Sequence, residues 1–209
     1  AFGYVMLLAA GIFCVVKPDM IREVLDSPEL GFARIIVPFL LSWIVSMGTT
    51  TASAISMEGR RLWIVKSMPV PARDWLTGKL MVNMLLAVPS ILVSSTLVSI
   101  GFGSSAAGWF WNYVLPLLYA AAFGVFGLWL NIRMPKLDWQ GEAEVIKQSG
   151  ATMICVFTGM AAAAAPAVVA GITQSEWVLS GTALALIALT FWMWRSLVKT
   201  GDERLYKLN

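Results

Sequence analysis

The sequence predicts an all-α, polytopic membrane protein with six transmembrane helices and a short cytoplasmic helix between the second and the third. Three observations lead to this prediction. Hydrophobic residues make up 58% of the 209 residues and charged residues 13%, whereas soluble domains are about half apolar and about a quarter charged. Long apolar runs recur along the chain, and most of the basic residues lie in short stretches between them. We therefore treat residues 1–209 as a single transmembrane domain.

Six apolar runs are candidate spans, because about 20 apolar residues in a helix cross the hydrocarbon core of a bilayer. These runs are Ala1–Val16, Ile35–Ile55, Leu80–Phe102, Trp109–Leu130, Gly150–Ile172 and Trp177–Trp194. The chain begins without Met inside the first run, so we expect a truncated first helix in the C-terminal half of a longer chain. The third and fourth runs are separated by the uncharged, Gly- and Ser-rich stretch 101–108, which predicts a hairpin with a short turn.

The basic residues predict the orientation of the spans. Segment 57–79 holds five Lys and Arg residues, segment 131–148 three, and the tail from residue 195 four, which is 12 of the 15 in the chain. Six spans would put these three regions on one side of the membrane, and the excess of basic residues predicts that this side is the cytoplasm. Both chain ends are then cytoplasmic. Cytoplasmic flanks also explain the net charge of +3 without a nucleic-acid partner.

Ionisable residues are missing from the middle of every predicted span, His is absent, and both Cys residues lie inside apolar runs. This pattern argues against an ion-coupled carrier, a disulfide framework and most metal sites, so we predict no catalytic residue and no metal site. Residues 59–67 lack the second Gly of a phosphate-binding loop. Any uphill transport would therefore need energy from a partner. Asn83, Asn112 and Asn131 are expected to be ordinary interfacial amides at helix ends.

The segment Glu58–Lys79, with the sequence EGRRLWIVKSMPVPARDWLTGK, separates the second span from the third. Pro69 and Pro71 end a helix near Met68 and allow another to begin. The predicted short helix places its apolar side chains on several sides, which suits an element held between the membrane domain and a second protein. A basic interfacial loop without a partner is the alternative interpretation.

A second charged loop precedes the fifth span. Glu142 and Glu144 fall in the first turn of a predicted short helix and Lys147 in its last turn, as the helix dipole favours. This helix is either a second docking contact or a well-capped helix start with no partner.

Hydroxyl side chains follow one face of the predicted second span. If that span is a regular helix, Ser42, Ser46, Thr49, Ser53 and Ser56 lie within an arc of about 80°. Such a stripe serves either close packing between helices or the lining of a substrate pathway.

The order of these features resembles the membrane subunits of type 2 ATP-binding-cassette (ABC) exporters. The matching stretches are Ser56-Met57-Glu58-Gly59-Arg60, Met68-Pro69-Val70 and Leu76-Thr77-Gly78-Lys79-Leu80. The sequence is especially similar to a bacterial group of ABC exporter permeases, in which a stretch like 135–139, followed by residues like Glu142, Glu144 and Lys147, precedes the fifth span. The resemblance covers roughly residues 35–209.

This resemblance implies a six-helix permease half in the bacterial inner membrane, in contact with lipid and with a second permease half, either in a homodimer or as an internal duplicate. The segment after the second span would dock as a coupling helix on a separate ATPase, which would bind ATP and Mg while this chain binds no cofactor. The implied coupling residues are Glu58, Gly59, Arg60, Arg61, Trp63, Lys66 and Pro69. The alternatives are an integral membrane enzyme acting on lipids and a passive channel or structural membrane subunit.

Overall fold

A computed structural model describes residues 2–17, 33–67, 69–141, 143–145 and 149–207, and the regular elements in these residues are all helical. The elements are α1 (Phe2–Val16), α2 (Ala33–Ser46), a 3-10 helix (Ser56–Arg61), α3 (Leu62–Ser67), α4 (Ala72–Gly101), α5 (Ala106–Asn131), α6 (Gly150–Thr173) and α7 (Trp177–Lys207). The prediction of an all-α fold is therefore confirmed.

Four of these helices are long and apolar enough to cross a membrane. They are α4, α5, α6 and residues 177–201 of α7, and they contain the last four predicted spans apart from Phe102, which caps the end of α4. Helices α1 and α2 are also apolar but have only 15 and 14 residues. The described chain thus contains four candidate spans and two shorter apolar helices.

Helix α2 is shorter than the predicted span Ile35–Ile55. It ends at Ser46, and residues 47–55 form a series of turns before the 3-10 helix begins. This segment is rich in Gly, Thr and Ser, which are poor helix formers because they lose backbone or side-chain freedom in a helix or bond to the backbone in other conformations. The helical arc calculated for the hydroxyl stripe therefore does not apply beyond Ser46.

Helix α5 lies at the centre of the bundle and contacts α2, α4, α6 and α7. Its side chains Leu115, Tyr119 and Leu128 are fully buried among these neighbours. Helix α1 packs against α2 and α4. The predicted hairpin between α4 and α5 is confirmed, with its turn at Gly103, whose φ of 57° favours glycine.

The bundle has two different ends. At one end, the 3-10 helix, α3 and the start of α4 lie near the loop after α5 and the last turns of α7, where Gly201 approaches Ala72 and Leu76. At the other end, the turn between α4 and α5 lies beside Arg34 and Glu176. The described residues of the three basic segments, 57–79, 131–148 and the tail from residue 195, belong to the first end, which we call the basic end.

Candidate functional site

The non-helical segment 47–55 is held in place by an amide from α4. The buried Oδ1 of Asn83 accepts hydrogen bonds from the backbone N and from Oγ1 of Thr50, each at 3.0 Å. It also accepts a bond of 3.3 Å from the hydroxyl of Tyr4 on α1. A buried backbone N–H without a partner is costly, and this side chain supplies the hydrogen-bond acceptor that a backbone carbonyl of a continued helix would have supplied.

A second amide holds the other end of the segment. The fully buried Asn131, the last residue of α5, accepts bonds at Oδ1 from the backbone N of Ile55 (2.7 Å) and of Ser56 (3.0 Å). Its Nδ2 donates to Oγ of Ser56 at 2.7 Å. The two amides together satisfy three backbone N–H groups in this segment.

Glycines on α5 allow the segment to lie directly against that helix. A Cβ atom at Gly127 would stand 2.5 Å from Oγ1 of Thr51 and 2.8 Å from the backbone N of Ala52. A Cβ atom at Gly124 would meet the amide of Asn83 at 3.1 Å. The segment therefore runs beside the last two turns of α5 at a distance that larger residues would not permit.

Ser56 joins this buried network to the loop after α5. Its Oγ accepts a bond of 2.9 Å from the backbone N of Lys136, and its carbonyl oxygen accepts a bond of 2.9 Å from Nε1 of Trp139. Ser56, at the start of the 3-10 helix that leads into the segment Glu58–Lys79, thus contacts the second charged loop, which precedes α6. We call Ser56, Asn131, Lys136 and Trp139 the loop junction.

Gly59 makes the close approach of the two loops possible. Its φ of 50° and ψ of −129° lie in a region that side chains disfavour. A Cβ atom there would also stand 3.0 Å from Nε1 of Trp139 and 3.3 Å from the carbonyl oxygen of Leu137. Beyond Gly59, Leu62 is buried against Ala72. The start of α3 is therefore anchored to the bundle.

The other predicted coupling residues lie around α3. Glu58 forms an ion pair with Lys79 of α4, so the segment is tied to its neighbouring helix by charge as well. Trp63 is 67% exposed, in spite of its size. Arg61 and Pro69 are exposed and Lys66 is partly exposed, while the side chain of Arg60 lies outside the described part of the structure.

The predicted second contact is described only in part. Glu144 pairs with Lys136 and accepts a bond from the backbone N of Gln140. The hydrogen bond from Lys136 and the one from the backbone hold the pKa of the Glu144 carboxyl below its usual value. Glu142 and Lys147 lie outside the described residues. Glu144 therefore braces the loop that carries Trp139.

The start of α6 and the end of α5 show further local anchors. Oγ of Ser149 caps α6 by accepting a bond of 3.2 Å from the backbone N of Thr152. The guanidinium of Arg133 lies 3.5 Å from the ring centroid of Trp129, and burial, together with the charge of Arg204, lowers the Arg133 pKa.

The predicted pathway residues make local backbone contacts. Oγ of Ser42 donates to the carbonyl oxygen of Pro38 and that of Ser46 to the carbonyl oxygen of Ser42. Thr49 and Ser53 bond in the same way to residues three positions earlier. Ser46 also packs against Gly159 of α6, where a Cβ atom would stand 2.8 Å from its own Cβ. These contacts are those of close helix packing, and the pathway role stays a prediction.

The expectation that Asn83, Asn112 and Asn131 are ordinary interfacial amides was wrong. All three are buried, and Asn83 and Asn131 support the non-helical segment. Trp139 was not among the predicted site residues either, although it lies in one of the charged loops. The sequence does contain one signal for this arrangement, the run Gly48-Thr49-Thr50-Thr51. Its low helix propensity indicates a break in the helix, and buried amides would have to bond to the backbone groups that the break leaves without partners.

Over the described residues the fold is all-helical, with four helices long and apolar enough to cross a membrane, as expected for a multi-pass membrane protein. Comparisons with models of known protein families, with curated proteins and with solved structures found no match.

Proposed function

We propose that this protein is the transmembrane subunit of a bacterial ABC exporter, and that it couples to a separate ATPase through the segment 58–79. The observation that carries the proposal is the contrast between the two parts of this segment. Trp63 is 67% exposed at the basic end, whereas Ser56, only seven residues earlier, is buried and bonded to the bundle through Asn131. An exposed aromatic residue on a rigid base is a typical anchor for a protein partner.

Six spans require that α2 and residues 47–55 together cross the membrane, and the length of these two parts is consistent with that. The 14 residues of α2 rise about 21 Å, and residues 47–55 run beside two further turns of α5, which add roughly 11 Å. The sum matches the hydrocarbon thickness of about 30 Å. We propose that residues 33–55 cross the membrane as one broken span and that α1 crosses beside it. The basic end then faces the cytoplasm.

The loop junction suggests how force on α3 would reach the membrane part. Leu62 and the Glu58–Lys79 pair attach α3 and the preceding 3-10 helix to the start of α4. A partner that pushes on α3 would therefore move this whole segment, including Ser56 at its beginning. Ser56 is bonded to both α5 and the second loop, so these parts would move together. The non-helical segment 47–55 would take up the movement, since it lacks the regular hydrogen bonds of a helix.

This proposal assigns ATP and Mg to the partner ATPase and requires a second permease half. Ser42, Ser46, Thr49 and Ser53 would come close to the pathway only if the motion opened the contact between α2 and α6. The bundle would thus alternate between a packed and an opened arrangement of these two helices.

The first test is purification of the full-length protein from its native host in a mild detergent. We expect a soluble subunit with a phosphate-loop motif to co-purify in near-equal amount. If no such subunit appears under conditions that preserve known complexes, the coupling proposal fails, and a passive channel, a structural subunit or a lipid-modifying enzyme becomes the better interpretation.

The second test compares two exposed tryptophans at opposite ends of the bundle. Trp63→Ala should lower the amount of co-purified ATPase at least about tenfold, because buried aromatic anchors dominate the free energy of binding. Trp177, which is 84% exposed at the start of α7, is the matched control, and Trp177→Ala should leave the complex intact. Equal amounts of ATPase with both variants would contradict the role of Trp63.

A further inference from the structure

Two arginines lie near each other at the basic end of the bundle. Arg133 follows the last turn of α5, and Arg204 belongs to the last turns of α7. The buried side chain of Leu197 on α7 packs with Leu128 and Ile132 at the end of α5. Arg204 is seven residues after Leu197, which is two helical turns, so it lies on the same face of α7. That face of α7 leads from the contact with Ile132 towards Arg133.

The guanidinium of Arg133 is held in one orientation. Its Cζ lies 3.5 Å from the ring centroid of Trp129, and its Nη1 donates a hydrogen bond of 3.0 Å to the carbonyl oxygen of Trp129. A guanidinium has five N–H donors, so this bond leaves most of them for a further acceptor. A planar group that is already oriented loses less conformational entropy when it binds a ligand.

The two guanidinium groups have no negative counterpart in the part of the chain that the structure describes. Neither of them forms an ion pair there. Glu203 precedes Arg204 directly, and adjacent residues of a helix do not face each other. Both arginines are only partly exposed, and burial and the charge of Arg204 lower the pKa of Arg133. A bound anion would remove this repulsion between like charges.

The depth of the two arginines favours the phosphate of a membrane lipid as that anion. Arg133 is two residues past the end of α5, and Arg204 is three residues past the candidate span 177–201. Phospholipid phosphates lie just beyond the hydrocarbon core, where these helices lose their apolar character. A guanidinium binds a phosphate through two parallel N–H donors. Arg133 also lies flat on Trp129 instead of projecting towards a protein partner.

We propose that Arg133 and Arg204 together bind the phosphate group of an anionic phospholipid in the leaflet at the basic end. Trp129 is the positioning residue, because it orients the guanidinium of Arg133. The two cations repel the ammonium group of a zwitterionic headgroup, so the site selects lipids with a net negative charge. This site goes beyond the proposed function and depends neither on an ATPase partner nor on the number of spans.

The test is native mass spectrometry of the full-length protein in detergent. The protein is titrated with phosphatidylglycerol or with phosphatidylcholine that has the same acyl chains. We expect one phosphatidylglycerol to bind with a Kd at least about tenfold lower than that of phosphatidylcholine. Equal affinities would overturn the proposal. Inorganic phosphate in excess should displace little of the lipid, and complete displacement would assign the site to a free phosphate instead.

Removing either charge tests the residues. Arg204→Gln and Arg133→Gln should each raise the Kd for phosphatidylglycerol at least about tenfold, because each loses charge-assisted hydrogen bonds to the phosphate. Both arginines act on the same phosphate, so the double variant should weaken binding by less than the product of the two single effects. Arg204 is partly exposed near the end of α7, and its variant keeps the test decisive if Arg133→Gln fails to fold.

Arg195 provides a control with the same change of charge. It is exposed, stacks on Phe191 of α7, and lies nine residues before Arg204, which places it on the opposite face of the helix. Arg195→Gln should change the Kd by less than about twofold. An equal loss with Arg195→Gln and Arg204→Gln would show general attraction to the basic end and overturn the site. Unchanged lipid binding in Arg204→Gln, with loss of a co-purified protein, would assign the pair to a protein partner.

Discussion

Replacing Asn131 tests whether a buried amide supports the break after α2. Asn131→Ala removes the acceptor of two buried backbone N–H groups, those of Ile55 and Ser56. Each N–H left without a partner costs about 1–3 kcal/mol, so the expected loss is about 2–6 kcal/mol. The matched control is Asn112→Ala, because Asn112 is also buried but donates one bond only to a side-chain oxygen, that of Ser99. That change should cost about 1 kcal/mol.

The native cysteines make this difference measurable. Cys14 and Cys155 are free and buried, so a thiol-reactive dye reports unfolding as the detergent-solubilised protein is heated. A difference of roughly 3 kcal/mol between the variants corresponds to about 6–12 °C in a chain of this size. If Asn131→Ala and Asn112→Ala unfold within about 2 °C of each other, the bonds to Ile55 and Ser56 do not support the segment as argued.

Two further predictions concern packing and pH. Gly127→Ala should destabilise the protein by about 1–3 kcal/mol because its methyl group would collide with Thr51. The control is Gly78→Ala, which has open space around it and should be neutral or stabilise α4. The same thiol assay compares the two variants, and equal unfolding temperatures would contradict the close contact. Because the folded-state pKa of Glu144 is lowered, its ion pair with Lys136 stabilises the loop above the ordinary carboxyl pKa of about 4.3 and is lost as pH falls through the lower folded-state value. Hydrogen exchange of residues 134–141, corrected for intrinsic rates, should therefore accelerate on acidification in the native protein but not in Glu144→Gln, and the same acceleration in both would contradict this role.

The long helices were predictable because hydropathy and length determine them together. Residues 150–172 were predicted as a span, and α6 runs from Gly150 to Thr173, since Ser149 caps its start and polar residues follow its end. The break after Ser46 was not predicted. A window that contains Thr, Ser, Gly and Ala can still have a high mean hydropathy, but hydropathy does not measure the helix propensity of these residues.

The charged loops were also recognised in advance, but their contacts were not. Thr50 is 33 positions from Asn83, and Ile55 is 76 positions from Asn131. No local pattern relates residues so far apart, because these contacts depend on how α4 and α5 pack. The same holds for Trp139, whose bond to Ser56 could be found only from the folded chain.

The broken element also constrains how the protein is made. Residues 47–55 leave the ribosome well before Asn83 and long before Asn131, and a non-helical backbone is not stable in contact with lipid tails. In the proposed six-span arrangement, the membrane insertion machinery would therefore not release this segment as a finished span. The segment would remain in a hydrated or protein-lined environment until α4 and α5 have been synthesised, so the order of synthesis and the order of assembly would differ.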